Sequence, residues 1–416
     1  HGVYGVSSGY GLGHNDKPPA ENFHDTYSMK GYMTGLTEDY IYQKNQGKQT
    51  LVYIDSGGDV NVNVDLGTHD YHGKAAGIRT AIGDVNIKSG GNVTVASNLD
   101  GEHRGDTLNQ FSAVSAGDGR VDIRADGDVT LKTDSNGLDN SVLHLDTSMR
   151  EGGIYTGSNY GSQSRVYLSG QNVNLEGRAG YDGSALNNSI DGISLHHEGY
   201  KGYKHVNMTI DAEEDFTIDV SAKTNGAGSS ASATGINVSI NPEMFSNGYS
   251  SGYENETSIG IKADKTEIKA SIEHDGGVLP ADSSATGLNA SDTALFIGAY
   301  DGGPDGNAYN SDYPDHYNSD VNLKAVEEMS ISATGGRYNT GINAEGTRLP
   351  GNYYGGRVGI AAKELTIEAH GREDTRGDSH SYGVNAVVNG SHDPYQYTDT
   401  KASVDIQTDS LEINVS

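Results

Sequence analysis

The chain has 416 residues, of which 34% are hydrophobic, and it contains 58 glycines and no cysteine. This composition is too polar for one thick globular core, and the glycines lack the strict period of a collagen. The 57 acidic residues outnumber the 28 basic ones and give a net charge of −29, which disfavours nucleic acid, heparin-like polymers and anionic membranes as partners. Without cysteine, the chain forms neither a disulfide framework nor a thiolate metal site.

The first 50 residues are rich in Tyr, Asn and Gly and fit no repeat, so we expect residues 1–50 to form an irregular cap. From residue 51 onward, two short alternating stretches recur, beginning with "LVYID" and "VNVNVD". In "VDIRADGDVTLKT", apolar residues at every second position place one face of each strand inward. The pair recurs in "VNIKSGGNVTVAS", "VYLSGQNVNLEG", "VNMTIDAEEDFTIDV", "IGIKADKTEIKAS", "VNLKAVEEMSISA", "VGIAAKELTIEA" and "VDIQTDSLEINVS".

A third stretch follows these pairs, as in "AGIRT", "DGISL", "TGINV", "TGLNA", "TGINA" and "YGVNA". One copy, "FSAVS", lacks the glycine, and either "SVLHL" at 141–145 or "GGIYT" at 152–156 supplies another. One turn of three strands cannot bury its inward face, but stacked turns can. We therefore predict an all-β, right-handed parallel β-helix with long corner loops over residues 51–416, about nine turns long and truncated at its C-terminal end. An antiparallel sandwich is the structural alternative.

Tyrosines concentrate at the corner that leads from the third strand to the next turn. We assign four long loops to this corner: "NPEMFSNGYSSGYENE", "YDGGPDGNAYNSDYPDHYNSD", "GTRLPGNYYGGR" and "VVNGSHDPYQYTDT". Rigid amphipathic Tyr beside adaptable Asn, Asp, Ser and Gly is typical of binding loops, although such residues also pack long loops onto a rod. The candidate ligand-binding residues are Tyr249, Tyr253, Tyr300, Tyr309, Tyr313, Tyr317, Tyr353, Tyr354, Tyr395 and Tyr397.

Two Arg-Gly-Asp tripeptides lie at the corner between the second and third strands. They resemble the integrin-recognition motif, in which the Asp coordinates a metal on the receptor and the Arg pairs with a carboxylate. An integrin-type receptor is therefore a candidate partner. The residues are Arg104, Gly105 and Asp106, and Arg376, Gly377 and Asp378.

A calcium site is a further hypothesis, since oxygen ligands surround glycines in the longest Tyr-rich loop. No cofactor is required by this interpretation, and the spacing is not that of an EF-hand. The candidate ligands are Asp301, Asp305, Asn307 and Asp312.

Catalysis is not expected from the sequence. A glycoside hydrolase needs two carboxylates about 5 to 9.5 Å apart, and no compact pair of aspartates marks such a site on a strand. The stretches "DSGGD" and "GDSH" do not match the nucleophile loop of trypsin-like domains. A polysaccharide-cleaving β-helix enzyme remains an alternative function.

The three-strand turns, the Gly-rich acidic composition and the absence of Cys together resemble the passenger domain of Gram-negative autotransporters, and the Arg-Gly-Asp loops resemble those of pertactin-like adhesins. The resemblance rests on pattern over residues 51–416, and filamentous haemagglutinin-like two-partner secreted proteins fit nearly as well. It implies an adhesin on the bacterial cell surface, anchored in the outer membrane through a C-terminal barrel missing from this sequence, or secreted.

For such an adhesin, the expected partners are a host extracellular-matrix glycoprotein, a cell-surface receptor or a glycan, in a host–pathogen or host–commensal interaction. Self-association of rods, leading to bacterial aggregation or biofilm, is the structural alternative. For self-association, we expect ladders of Asn and Thr side chains on the outward strand faces. These ladders contain Asn61, Asn63, Thr94, Thr130 and Asn174.

Overall fold

The structure is a computed structural model. It describes residues 2–8, 51–66, 74–80, 84–99, 111–116, 120–138, 140–146, 162–181, 183, 185–197, 204–225, 229–240, 256–274, 282–299, 324–349, 352–353, 355–371, 379–389 and 402–416. The described residues form β-strands and no helix. The strands are β1 Gly2–Ser8, β2 Leu51–Ser56, β3 Val60–Leu66, β4 Lys74–Thr80, β5 Asp84–Ser89, β6 Val93–Leu99, β7 Phe111–Ala116, β8 Arg120–Ala125, β9 Val129–Ser135, β10 Asn140–Asp146, β11 Ser162–Gly170, β12 Val173–Ala179, β13 Asn187–His197, β14 Lys204–Ala212, β15 Asp215–Thr224, β16 Ser230–Ile240, β17 Glu256–Lys262, β18 Lys265–His274, β19 Ser283–Ser291, β20 Ala294–Ala299, β21 Val326–Thr334, β22 Tyr338–Leu349, β23 Asn352–Tyr353, β24 Arg357–His370, β25 His380–Asn389, β26 Ser403–Gln407 and β27 Ser410–Val415.

The chain winds through three strand positions per turn, and strands in the same position stack in parallel. The first-strand sheet contains β2, β5, β8, β11, β14, β17, β20, the start of β24, and β26. The second-strand sheet contains β3, β6, β9, β12, β15, β18, β21, the end of β24, and β27. The third-strand sheet runs β1, β4, β7, β10, β13, β16, β19, β22 and β25. The predicted parallel β-helix is confirmed, and the antiparallel sandwich is wrong.

The core is a column of inward side chains that stack from turn to turn. On the first strands, Val121, Val166 and Met208 lie in register and are buried. On the second strands, Leu131 and Leu175 also lie in register and are buried. Each buried aliphatic side chain stabilises the fold by about 1.5 to 3 kcal/mol relative to an exposed one. A thin bore lined mainly by aliphatic side chains therefore supplies the main core along the rod, beside a small separate cluster of Ala75, Leu99 and Phe111.

Asn and Asp side chains stack at the turn between first and second strands. Oδ1 of Asp59 accepts a hydrogen bond from the backbone N–H of Asn92 at 2.8 Å, and Oδ1 of Asn92 accepts one from the N–H of Asp128 at 2.8 Å. The N–H of Asn172 continues the stack by donating to Oδ1 of Asp128 at 3.1 Å. Each polar side chain thus satisfies a backbone donor of the next turn, which explains the recurring Asn and Asp of these turns.

The outward ladder predicted for the second strands is confirmed as a feature of the fold. Asn61, Thr94, Thr130 and Asn174 lie in register on one outward face, and Asn63 lies beside Ala96 in the neighbouring row. The ambiguous third strand is β10, which contains "SVLHL", whereas residues 152–156 lie outside the described part of the chain.

Residues 1–50 do not form an irregular cap throughout. Strand β1 lies in the third-strand sheet, where Val3 pairs with Ala75 and Val6 with Ile78. The stretch "YGVSS" at 4–8 is therefore a variant of the third-strand motif "YGVNA". The rest of the expected cap, residues 9–50, lies outside the described residues.

One strand assignment from the sequence is wrong. We expected "VNLKA" at 321–325 to be a first strand, but the first strand of that turn is β20, "ALFIGA", which follows β19 after a turn at Asp292 and Thr293. The continuous apolar run of β20 obscured its alternation. Phe296 points outward yet is buried, because its ring packs over Gly359 and beneath the guanidinium of Arg357 at 5.2 Å.

Candidate binding surface

Nearly all residues assigned to binding from the sequence lie outside the described residues. The backbone of Tyr353 is described, in β23, where it pairs with Arg348 in a short antiparallel hairpin. The other candidates, all outside the described part, are Tyr249, Tyr253, Tyr300, Tyr309, Tyr313, Tyr317, Tyr354, Tyr395, Tyr397, the tripeptides at 104–106 and 376–378, and Asp301, Asp305, Asn307 and Asp312.

The flanking strands nevertheless show from which corner each loop leaves. The loops carrying Tyr249, Tyr353 and Tyr395 follow the third strands β16, β22 and β25, as predicted. The insertion at residues 300–323 is different, because it connects β20 to β21 and so leaves the corner between first and second strands. The assignment of the longest Tyr-rich loop to the third-strand corner is therefore wrong.

Both Arg-Gly-Asp tripeptides leave the corner between second and third strands, as predicted. The first lies between β6 and β7 and the second between the end of β24 and β25. Six turns separate them, which corresponds to about 30 Å along the rod axis at the usual strand spacing.

The described residues contain one surface that the sequence did not single out, the outer third-strand face. We define it as the outward-facing residues of β16, β19, β22 and β25. They form four rows across the strands in register. The rows are Ser232, Ser284, Tyr338 and His380; Thr234, Thr286, Thr340 and Tyr382; Asn237, Asn289, Asn343 and Asn385; and Ser239, Ser291, Glu345 and Val387.

A glycine column holds this face close to the core. A Cβ on Gly287 would lie 2.5 Å from the carbonyl oxygen of Gly341 and within overlap of Cγ2 of Ile331. Equivalent glycines, Gly235 and Gly341, approach equivalent isoleucines of the second strands. The glycine of "TGIN" is thus required because the third strand packs against an isoleucine ladder with no room for a side chain.

The asparagines of the motif form a hydrogen-bonded ladder. Nδ2 of Asn289 donates to Oδ1 of Asn237 at 2.9 Å, and Nδ2 of Asn343 donates to Oδ1 of Asn289 at 2.9 Å. Asn385 extends the ladder at 2.8 Å, and Asn237 ends it by donating to Asp191 at 2.9 Å. All amides run in the same direction, so each one is held by its neighbours in a single orientation.

Aromatic side chains lie at the edge of the same face. The rings of Tyr338 and His380 stack with centroids 5.4 Å apart and planes inclined by 13°. Tyr382 lies two residues beyond His380 and pairs in register with Thr340. Tyr338 is 42% and Tyr382 48% exposed, so both rings are accessible from solvent.

The outer face of the first-strand sheet is charged, in contrast. Asp211 accepts hydrogen bonds from the hydroxyl of Tyr167 at 3.1 Å and from Nζ of Lys262 at 2.7 Å. Arg124 lies 4.6 Å from the ring centroid of Tyr167 and pairs with Asp122. Burial, together with Asp211, raises the pKa of Tyr167 above its ordinary value, and the hydrogen bond to Asp211 raises the pKa of Lys262.

A second partly buried tyrosine lies at the corner between second and third strands. The hydroxyl of Tyr181 lies 2.7 Å from Oγ of Ser221, and its ring contacts Arg178 at 5.8 Å. Burial raises the pKa of Tyr181 to about 12, Glu273 adds to the increase, and the bond to Ser221 opposes it.

The described residues contain no group of three or more His, Asp or Glu arranged to hold a metal ion. In the same part of the chain, no helix is long and apolar enough to cross a membrane. Comparisons of the chain with protein-family models, curated proteins and solved structures found no match.

The sequence contained a signal for the outer third-strand face. The Asn of "TGINV", "TGLNA", "TGINA" and "YGVNA" recurs at one position of the motif, which predicts a stacked column once the strands are parallel. The pairing of Tyr338 with His380 had no such signal, because the two residues belong to different turns and only the register brings them together.

Proposed function

We propose that the chain is a bacterial cell-surface adhesin, in which a rigid β-helix presents corner loops to an extracellular-matrix protein or a glycan. The observation that supports this is the unbroken register of strands on either side of each long insertion. β14 and β17 pair over seven consecutive positions although residues 241–255 intervene between β16 and β17. Loops that vary on a constant scaffold are the usual location of binding residues.

The sequence resemblance to autotransporter passenger domains supports an extracellular location, with attachment to the outer membrane or release. The absence of Cys fits a chain exported before folding. The net charge of −29 favours neutral or cationic partners over sulfated glycans, unless calcium bridges the two.

The proposal is tested with a loop variant in which Tyr249, Tyr253, Tyr395 and Tyr397 are changed to Ala. We expect this variant to lose binding to matrix-protein and glycan panels by about tenfold or more, because exposed Tyr anchors dominate many interfaces. Tyr53→Ala is the matched control, since Tyr53 is 56% exposed and belongs to strand β2 rather than to these loops. Unchanged binding by the loop variant, or equal loss in the control, would reject the proposal.

The Arg-Gly-Asp loops are tested separately. Asp106→Glu combined with Asp378→Glu is expected to abolish attachment to integrin-bearing cells, because the longer side chain misplaces the metal-coordinating carboxylate. Equal attachment of the parent and the double variant would exclude these tripeptides as the receptor-binding element.

Self-association is the second candidate, supported by the outward ladder from Asn61 to Asn174. Ladders of small polar side chains on a flat sheet allow two rods to approach closely. The high like charge of the two copies opposes this at low ionic strength. Sedimentation at low and high salt tests for self-association. If the rods self-associate, the dimer fraction increases with salt, because salt screens the repulsion between the two copies.

A further inference from the structure

The outer third-strand face is almost uncharged in a strongly acidic chain. Among all residues of β16, β19, β22 and β25, the only Lys, Arg, Asp or Glu residues are Glu345 and Arg348, both in β22. The rest of the face consists of Ser, Thr, Asn and aromatic side chains, with Val387 as its one aliphatic side chain. Glu345 is the one charged side chain in the four rows of the face, so in a chain of net charge −29 this surface favours a neutral ligand over an anionic one.

The asparagine ladder leaves hydrogen-bonding capacity on this face. Each amide has two N–H hydrogens and an oxygen with two lone pairs. In Asn289 and Asn343, one hydrogen and one lone pair are used within the ladder. Among the described residues, neither amide makes a further side-chain hydrogen bond, so the second hydrogen and the second lone pair of each can bind a ligand, in partly exposed side chains whose orientation is already fixed. Prearranged donors and acceptors of this kind bind hydroxyl groups with little ordering cost.

The aromatic side chains supply the apolar part of the same surface. Tyr382 is about half exposed and lies three residues from Asn385 on β25, which is about 10 Å along a strand. Tyr338 lies five residues from Asn343 on β22. A ligand that touches both the rings and the ladder therefore needs an apolar face, several hydroxyls, and a length greater than one sugar ring.

We propose that the outer third-strand face binds an uncharged oligosaccharide of at least two sugar units. The C–H face of one sugar packs on Tyr338 or Tyr382, and the hydroxyls of the next bond to Asn343 and Asn385. The proposal rests on the proposed adhesin function and names its ligand class, but it places the site on the sheet rather than on the loops. A second copy of the chain fits less well, because two chains of charge −29 repel each other.

The test is binding of the purified chain to an array of neutral oligosaccharides, namely glucans, mannans and galactans, beside anionic alginate and polygalacturonate. We expect binding to at least one neutral series and none to the anionic ones. Tyr338→Ala combined with Tyr382→Ala should weaken that binding by about tenfold, whereas Tyr338→Phe combined with Tyr382→Phe should stay within about threefold. Tyr53→Ala, on a different sheet, should bind as the parent does.

Three outcomes would overturn the proposal: no neutral oligosaccharide binds, the double Ala variant binds as tightly as the parent, or only the anionic polymers bind. A dimer that the double Ala variant loses would assign the face to self-association instead. The loop variant separates this proposal from the adhesin function. Loss of matrix binding in the loop variant, with no sugar binding at the face, would leave the adhesin proposal intact and remove this one.

Discussion

At the scale of single residues, the close packing around the glycine of the third-strand motif predicts that a substitution there destabilises the fold. Gly287→Ala would place a methyl group against Ile331 and the backbone of Gly341, both of which are buried and constrained. We expect a loss of about 1 to 3 kcal/mol in the free energy of unfolding, the usual cost of overpacking. Gly58→Ala is the matched control, because nothing lies within 4 Å of its added Cβ. Urea unfolding measures both, and equal stability of the two variants would contradict the close approach of the third strand.

A second prediction at this scale concerns Tyr181. Its pKa is raised from 10.0 to about 12 in the folded chain, chiefly by burial. A raised pKa means that the folded state holds the proton more tightly than the unfolded state does. The contribution of the protonated Tyr181 hydroxyl to the free energy of unfolding is therefore complete below pH 10, and it is lost as the pH rises toward 12.

We expect Tyr181→Phe to flatten the fall in stability over that interval, because Phe cannot ionise. The measurement compares the parent and the variant by thermal unfolding from pH 9 to about pH 12. Identical pH dependence in the two chains would show that Tyr181 titrates as an exposed tyrosine does. Tyr53→Phe separates the two causes of a raised pKa, since Tyr53 is exposed and its pKa is raised chiefly by the hydrogen bond to Asp55 rather than by burial.

At the scale of elements, most strands could be predicted because a two-residue alternation marks a strand with one buried face. Among the strands that the pattern missed is β20, in which Leu295, Phe296 and Ile297 are all buried. Its outward Phe296 is covered by Arg357 from the next turn, a contact that no local pattern reveals. Because β20 was missed, "VNLKA" was taken as the first strand and the insertion was assigned to the wrong corner, although the third strand before it and the second strand after it were assigned correctly.

The candidate site was less predictable than the fold. The sequence favours the Tyr-rich loops as binding sites, because each loop concentrates its tyrosines within one continuous stretch of chain. The outer third-strand face instead combines side chains from four turns, such as Tyr338 with His380 and Asn289 with Asn343. Its residues are separated by 42 to 54 positions in sequence. Only the register of parallel strands places them together.

The third prediction concerns the insertion between β20 and β21 as an element. Its ends are already joined, because the N–H of Ala299 donates to the carbonyl oxygen of Lys324 at 2.6 Å. We expect replacement of residues 301–322 by Asn-Gly to leave the free energy of unfolding within about 1 kcal/mol, since loop closure depends weakly on length. A Gly/Ser stretch of the original length is the control, which separates lost contacts from shortened chain.

The parent and the shortened chain also test the calcium hypothesis, whose candidate ligands are Asp301, Asp305, Asn307 and Asp312. A ligand that binds the folded state raises the unfolding temperature. If the insertion binds calcium, the parent gains stability on its addition and the shortened chain does not. Equal responses of both chains would exclude a calcium site in the insertion, and unfolding of the shortened chain would show that the insertion belongs to the fold.

At the scale of the whole molecule, the rod is a one-dimensional stack in which each turn is stabilised by its neighbours. The last turn, β26 and β27, pairs on one side only among the described strands. Its inward side chains Leu411, Ile413 and Val415 are 46%, 44% and 48% exposed, whereas the equivalent Leu365, Ile367 and Ala369 one turn earlier are buried. Apolar burial is the main stabilising term, so the local free energy of opening must fall toward this end.

We therefore predict a gradient of amide hydrogen exchange along the rod. Peptides covering β27 should exchange fastest, those covering β24 more slowly, and those covering the central strands β15 and β18 slowest, because the central turns are covered on both sides. Exchange mass spectrometry on the 416-residue chain measures this directly. The gradient should persist when the ionic strength is raised, since it arises from apolar burial rather than from the net charge of −29. Uniform protection from β15 to β27 would instead mean that the rod opens as one cooperative unit. The description of its stability as a sum of contributions from neighbouring turns would then be wrong.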